Sequence, residues 1–348
     1  MKILLAFDHS PHSLEALNIV LDRAWDPGTW IKLVCVVPHE GGVLDSLLAL
    51  FGQDGHEEKS IDSLRQLVDR IARDAASALS EVSVTADVLE GDTVDVLMAF
   101  ESTFHADLIV AGSRSKSMRE DMGLGSVSQA ILDRAECPVL IARRKYAPTE
   151  SRGENILVAM DDSPEGASAA EWIMQQSWIR GKNIGLFSAI EPLGEAYVRR
   201  NVVSASRELL AWQQEKSLRE GILRQYEHLI REHCQVQSVK SGVAEGDIVE
   251  LILRGVKTWP ADLVVMGSRS RSALQRTVLG SVSRKVSMHA ECSVEVVKGC
   301  ESRNYARIRQ YVLDKSTLDE LLMETPQPQK NRPSGGVESD IHYFPPGL

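Results

Sequence analysis

This sequence repeats most of itself once, and that duplication constrains its fold more than any other feature. ADLIVAGSRS at 106–115 returns as ADLVVMGSRS at 261–270, and GLGSVSQAIL at 123–132 returns as VLGSVSRKVS at 278–287. AECPVLIAR at 135–143 returns as AECSVEVVK at 290–298. The offset is constant at 155 residues, as between Gly112 and Gly267 or between Cys137 and Cys292. Near the start, ILLAFDHSPHS (3–13) returns as ILVAMDDSPEG (156–166) at an offset of 153, and EGD occurs at 90–92 and 245–247. The two-residue change fits insertions in a variable loop. A period this long is not that of a solenoid; it is a duplicated domain.

Within each half, short apolar runs alternate with amphipathic stretches. In the first half the runs are Ile3–Phe7, Ile31–Val37, Val82–Leu89, Leu108–Ala111 and Val139–Ala142, with helical patterns near 12–24, 57–80, 92–104 and 126–134. In the second, strands are expected near 156–160, 184–190, 235–241, 263–266 and 294–297. Continuously apolar strands between helices imply a parallel sheet covered on both faces. The expected architecture is α/β: two tandem doubly wound, Rossmann-like domains, each a five-stranded parallel sheet. Domain 1 is placed at 1–145 and domain 2 at 154–299. The polar linker RKYAPTESRGE lies between them. Residues 300–348 read as a largely disordered Pro- and Gly-rich tail with a helix near 305–323.

Composition narrows the function. The net charge of −10 and a pI near 5.5 disfavour nucleic acid and anionic membrane as partners. Aromatics are 5% of the chain, too few for a base-stacking platform. Five cysteines without a CxxC indicate neither a disulfide framework nor zinc, and fit a reducing cytoplasm. The apolar start is broken by Asp8 and His9, so neither a signal peptide nor a membrane span is expected there.

One constellation carries chemistry. The fourth-strand loop opens Gly112-Ser113-Arg114-Ser115; nine residues later Gly125-Ser126-Val127-Ser128 opens a helix. The second half repeats this as Gly267-Ser268-Arg269-Ser270 and Gly280-Ser281-Val282-Ser283. Glycines admit close backbone approach, and a helix N-terminus presents free amides and a positive dipole end. Hydroxyls of Ser126, Ser128, Ser281 and Ser283 are available to phosphate oxygens. The bland alternatives are that Ser126 and Ser281 cap helices, that Asp8 and Asp161 cap the helices after the first strands, and that Arg114 and Arg269 are solvated. His9, His12 and His39 have no matched histidines in the second half, which argues against a metal site. Cys35, Cys137 and Cys292 read as packing residues. No P-loop, GxSxG or HExxH occurs, and no catalytic residue is assigned.

The GxxG-like turn, the nine-residue spacer, the GS that follows and the D-x-S of Asp8/Ser10 and Asp161/Ser163 resemble the universal stress protein family, over essentially 1–145 and 154–298. The resemblance implies flavodoxin-like domains that pair, often through the last strand. It also implies binding of ATP, AMP or ADP, with Mg2+ as the accompanying cation. By that resemblance Asp8 and Asp161 face adenine and ribose, and Val36 and Ala189 lie against adenine. Gly112, Arg114, Ser115, Gly125, Ser126, Val127 and Ser128 hold phosphates in the first half. Gly267, Arg269, Ser270, Gly280, Ser281, Val282 and Ser283 do so in the second.

Ser115 and Ser270 depart from the family's second glycine, adding a side chain beside the phosphates. The spacer of the second half carries Arg271 and Arg276 unopposed, whereas Lys116 and Arg119 face Glu120 and Asp121, so charge favours the second half as the phosphate site. Three functions remain open: a cytoplasmic stress-response protein regulated by adenine nucleotide, a nucleotide-free protein-interaction module, and a weak ATPase. The expected assembly is a homodimer or a pseudo-dimer within one chain, with a protein partner not named by the sequence.

Overall fold

The computed structural model describes residues 1–38, 61–79, 81–113, 123–143, 155–193, 202–268, 279–299 and 302–324. The first half contains β1 (Lys2–Ala6), α1 (Pro11–Leu21), β2 (Trp30–Val37), α2 (Ile61–Ala78), β3 (Ser83–Glu90), α3 (Thr93–Phe104), β4 (Leu108–Gly112), α4 (Ser126–Arg134) and β5 (Val139–Ala142). The second half follows with β6 (Asn155–Ala159), α5 (Pro164–Met174), β7 (Asn183–Ile190), α6 (Val202–His233), β8 (Ser238–Glu245), α7 (Ile248–Thr258), β9 (Leu263–Gly267), α8 (Ser281–His289) and β10 (Ser293–Val297). A ninth helix, α9 (Tyr305–Glu324), ends the described chain. Strand β8 lies about three residues beyond its expected place. The chain leaving α6 turns at Cys234–Gln237, where the Val236 amide donates to the Cys234 carbonyl, before pairing begins at Ser238.

Each half has the strand order expected of a doubly wound sheet, β3-β2-β1-β4-β5 and its counterpart β8-β7-β6-β9-β10. The two sheets are one: β5 pairs antiparallel with β10, giving ten continuous strands. Each half thus uses its last strand to pair with the other, and the pseudo-dimer is built into the chain. Leu140, opposite Glu295, marks the pseudo-twofold axis. Because β5 and β10 run antiparallel, the carboxyl ends of the two parallel sets face opposite edges of the sheet. The two crevices after β1/β4 and β6/β9 therefore lie on opposite sides of the molecule. Helices α1, α2, α5, α6 and α9 cover one face over a core that includes Ile3, Leu5, Leu64, Ile222 and Tyr226. Helices α3, α4, α7 and α8 cover the other, over Leu4, Leu97, Ile131, Ile252 and Val286.

Glycines at the ends of β4 and β9 are demanded by packing. A Cβ on Gly112 would meet the His12 carbonyl of α1, and one on Gly267 would meet the Glu165 carbonyl of α5. The duplicated EGD is a strand-to-helix turn. Gly91 and Gly246 take φ of +144° and +145°, while Asp92 and Asp247 cap α3 and α7. Salt bridges spaced i,i+4 line α6 at Glu215–Arg219, Glu220–Arg224 and Glu227–Arg231, as its charge pattern implies.

The start of the tail is anchored. Buried Glu171 of α5 accepts from the Tyr226 and Ser302 hydroxyls at 2.9 and 2.6 Å and from the amides of Arg303 and Asn304 at 2.9 and 3.1 Å. Tyr305 and Arg309 both donate to Asp162, and Val312 packs onto Gly221 of α6. Glu171→Ala strands two amides and a buried phenol, a loss of about 2 kcal/mol. The expected readout is earlier tryptic cleavage at Arg303, Arg307 and Arg309; an unchanged cleavage rate would refute the anchor.

Candidate functional site

Strand order reverses between β1 and β4, and in such sheets the loops at that point diverge to leave a crevice. In the first half this crevice is a cavity of about 360 Å³. Its floor is Ala6, Val34, Val36 and Ala111, with Leu97 at one side; its rim is Asp8, Ser10, His12, Pro38 and Thr93; Gly125, Ser126, Val127 and Ser128 close one end. One end is thus hydrocarbon and the other a helix N-terminus.

That terminus differs from most of its neighbours. Helices α1, α3, α5 and α7 are capped by Ser10, Asp92, Ser163 and Asp247, each accepting from a first-turn amide. The cap residues of α4 and α8 are Gly125 and Gly280, with no side-chain cap bond. A glycine cap leaves the leading amides and the dipole directed at whatever occupies the crevice. Ser126 and Ser281 are exposed first-turn residues rather than caps.

Two sequence expectations change meaning. Ser128 and Ser283 do not offer their hydroxyls outward: each is buried and donates to a strand-end carbonyl, Gly112 at 2.6 Å and Gly267 at 2.9 Å. They fix the helix against the strand. Asp8 and Asp161 do not cap helices; Ser10 and Ser163 do. Asp8 is exposed at the cavity rim, its Oδ1 accepting from the Ser10 amide at 3.0 Å. Asp161 is half-buried, held by the Ser163 hydroxyl.

The structure brings together Asp8, Val36, Gly112, Gly125, Ser126, Val127 and Ser128 around one cavity. Arg114, Ser115, Arg269 and Ser270 lie outside the described residues, as do Arg271 and Arg276. Phe7, His12, Ser13, Pro38, Thr93 and Leu97 also line the cavity without having been singled out as ligand contacts from sequence. Thr93 was findable: it directly follows the duplicated EGD, whose aspartate caps α3 and sets Thr93 at the helix start. Beneath the cavity, burial pushes the Cys35 thiol up to about 12, with the charge of Asp8 adding to the shift. A thiol so held is not a nucleophile near neutral pH. Among the described residues no group of three His, Cys, Asp or Glu is placed to hold a metal ion, and no helix is long and apolar enough to cross a membrane.

The second half builds the same frame with different fillings. Register identifies the equivalents: Ala6 pairs with Val34 as Ala159 pairs with Phe187. Phe187 thus replaces Val34, Met266 replaces Ala111 and Ile248 replaces Thr93. Phe187 and Met266 are 4% and 5% exposed, and Ile248 packs on the same cluster. Ala189 is smaller than Val36, but its carbonyl and the Ser188 hydroxyl receive Arg219 of α6, at 3.0 and 3.2 Å. Trp212 donates to the carbonyl of Glu191, the counterpart of the cavity residue Pro38, at 3.0 Å.

Comparison with known proteins agrees with this frame. The sequence matches the universal stress protein family twice, over residues 1–143 and 153–298. It is 27% identical over 230 residues to Universal stress protein Rv1996 of Mycobacterium tuberculosis, spanning 66% of this chain and 70% of that one. A universal stress protein of Thermus aquaticus is 31% identical over 144 residues, 40% of this chain and 97% of its own. Among solved structures, a universal stress protein from Archaeoglobus fulgidus superposes with a TM-score of 0.58 at 19% identity, covering 86% of this chain and 98% of that one. At that identity the likeness concerns the fold.

Proposed function

The chain belongs to the universal stress protein family, and on that premise we propose that it is a cytoplasmic regulatory protein that binds an adenine nucleotide. The observation carrying this reading is the 360 Å³ cavity of the first half, apolar at one end and closed at the other by an uncapped helix. Its volume falls within the range of small-ligand pockets. A purine has an apolar wall in Val34, Val36 and Leu97. Asp8 stands at the rim, where a ribose hydroxyl has an acceptor. The amides of α4 and the Ser126 hydroxyl suit phosphate oxygens. Residue chemistry thus fits the nucleotide that the family resemblance implies. The site is read as one for binding rather than turnover, with ligand shifting the populations of conformers that partners recognise.

Purified protein denatured and analysed by mass spectrometry is expected to release an adenine nucleotide. Ser126→Asp gives α4 an acidic first turn, which suits the helix dipole, yet sets a negative charge against phosphate. It is expected to weaken ATP, ADP and AMP by at least about tenfold in calorimetry with unchanged folding. Equal affinity in the variant would place the nucleotide away from the α4 amides, and no nucleotide released and none bound by the wild type would leave a nucleotide-free interaction module as the better account.

A further inference from the structure

The two halves have the same frame but not the same interior. We propose that ligand binding is confined to the first half, so that each chain takes up one nucleotide, while the second crevice is filled by its own side chains. This rests on the reading of the first cavity as an adenylate site, and it assigns that site's stoichiometry and the residues that set it.

Four observations lead there. A phenyl ring stands where the first half has an isopropyl group, a thioether chain where it has a methyl, and a branched alkyl group where it has a hydroxyl: Phe187 for Val34, Met266 for Ala111, Ile248 for Thr93. All three join the core of the second half. The aspartate after the first strand is exposed as Asp8 but turned onto Ser163 as Asp161, where a side chain on Gly166 would collide with it. Charge at the mouth is reversed: His9 and His12 in the first half correspond to Asp162 and Glu165 in the second. Asp162 is already paired with Arg309, and the added Glu165 carboxylate repels a phosphate ester where an imidazole does not. Last, the loop that would receive ligand in the second half is already committed. Asp162 holds Tyr305 at 2.6 Å and Arg309 at 3.1 Å, and Trp212 holds the end of β7.

The Arg271/Arg276 spacer pulls the other way, and packing outranks it. Attraction between charges through water is weak and screened by salt. Admitting a purine between Phe187 and Met266 requires evicting close-packed side chains from the core.

The test uses the full chain, with ADP and ATP as probes in equilibrium dialysis and native mass spectrometry. Wild type is expected to saturate at one nucleotide per chain. Ser126→Asp is expected to weaken that single site at least about tenfold and to leave no site of wild-type affinity, and V34F/A111M, which transplants the second half's side chains into the first, is expected to remove binding while leaving Tm unchanged or higher. Phe187→Val, by contrast, is expected to lower Tm, a readout that needs no ligand. Saturation at two per chain, one nucleotide retained at wild-type affinity by Ser126→Asp, or a Tm fall in V34F/A111M as large as that in Phe187→Val would overturn the proposal while sparing the adenylate reading. Failure of every variant and of wild type to bind any adenylate would overturn both.

Discussion

Arg23→Ala is expected to cost about 3–5 kcal/mol of stability, whereas Arg23→Met combined with Glu295→Leu is expected to come out near wild type or above it. Glu295 lies in β10 opposite Leu140, on the axis relating the halves, and is fully buried. Its Oε2 accepts from Arg23 Nη2 at 2.9 Å and its Oε1 from Trp172 Nε1 at 2.6 Å. Arg23 comes from the first half and stacks on Trp178 of the second, its Cζ 4.0 Å from the ring centroid, with Nη1 buried and without a hydrogen-bond partner. Removing the guanidinium leaves a carboxylate in the core of the interface with one neutral donor. Removing both charges restores the apolar pair that Leu140 represents in the first half. Guanidinium unfolding followed by tryptophan fluorescence reads both variants, since Trp25, Trp172 and Trp178 surround the pair. A single variant within about 1 kcal/mol of wild type would mean the charge is hydrated or otherwise neutralised.

The same pair discriminates between associations. Self-pairing of two second halves in this register would place two buried Glu295 carboxylates face to face, and self-pairing of two first halves would strand two arginines. Only first-with-second pairing neutralises both. The asymmetry was invisible to repeat alignment because the duplicated blocks align AECPVLIAR with AECSVEVVK and present Leu140 and Glu295 as an ordinary substitution.

Much of the fold was legible because the signals were local. Strands buried on both faces read as apolar runs, and the repeat doubled each observation. The shift of β8 was not legible: Val236 is as apolar as a strand residue, and only the turn closing α6 excludes it. At the site, Gly112 and Gly125–Ser128 stand out through spacing, since a GS helix start after a strand loop has a local motif, whereas Asp8 and Val36 come as ligand contacts from the family resemblance. His12 at the start of α1, Pro38 just past β2 and Thr93 at the start of α3 meet only through the topology. The hydroxyls of Ser128 and Ser283 read as ligand donors because sequence does not reveal that the strand-end carbonyl is the nearer acceptor. The difference between crevices was in plain sight as Val34/Phe187 and Ala111/Met266, but charge in the spacer is easier to notice than carbon in the wall.

Raising the pH from 8 to 10.5 is expected to stabilise wild type relative to Lys298→Met by up to about 3 kcal/mol. Each half sends one cation across the interface to the C-terminus of the other half's helix. Arg143, just past β5, donates to the Ala290 and Ser287 carbonyls at the end of α8 at 2.8 and 2.5 Å, and to the Ser113 hydroxyl at 2.9 Å. Lys298, just past β10, donates from Nζ to the Leu132 and Ala135 carbonyls at the end of α4, at 2.5 and 3.1 Å. A cation at the negative end of a helix is well placed, yet removal from water is the larger effect. Burial pulls Arg143 down to about 10 and Lys298 down to about 8, the nearby charges of Asp133 and Glu101 offsetting only part of the latter. The arginine stays charged at neutral pH; the lysine sits at the edge of titration. Below pH 8 the ammonium is present folded and unfolded, and its desolvation cost is fully felt. Between 8 and the unfolded value of 10.5 the unfolded chain binds the extra proton, so stability rises with pH; beyond that window the gain is complete. Neutral Lys298 keeps two N–H donors for its two carbonyls, so the cap survives deprotonation. Buried Tyr226 and Cys137, whose ionisation burial opposes, work in the other direction as pH rises, and taking the difference between wild type and Lys298→Met at each pH cancels them. Urea titrations of the two proteins at pH 7.5, 9 and 10 measure that difference. A difference that stays flat across the three would place the Lys298 amine in contact with water rather than between the halves.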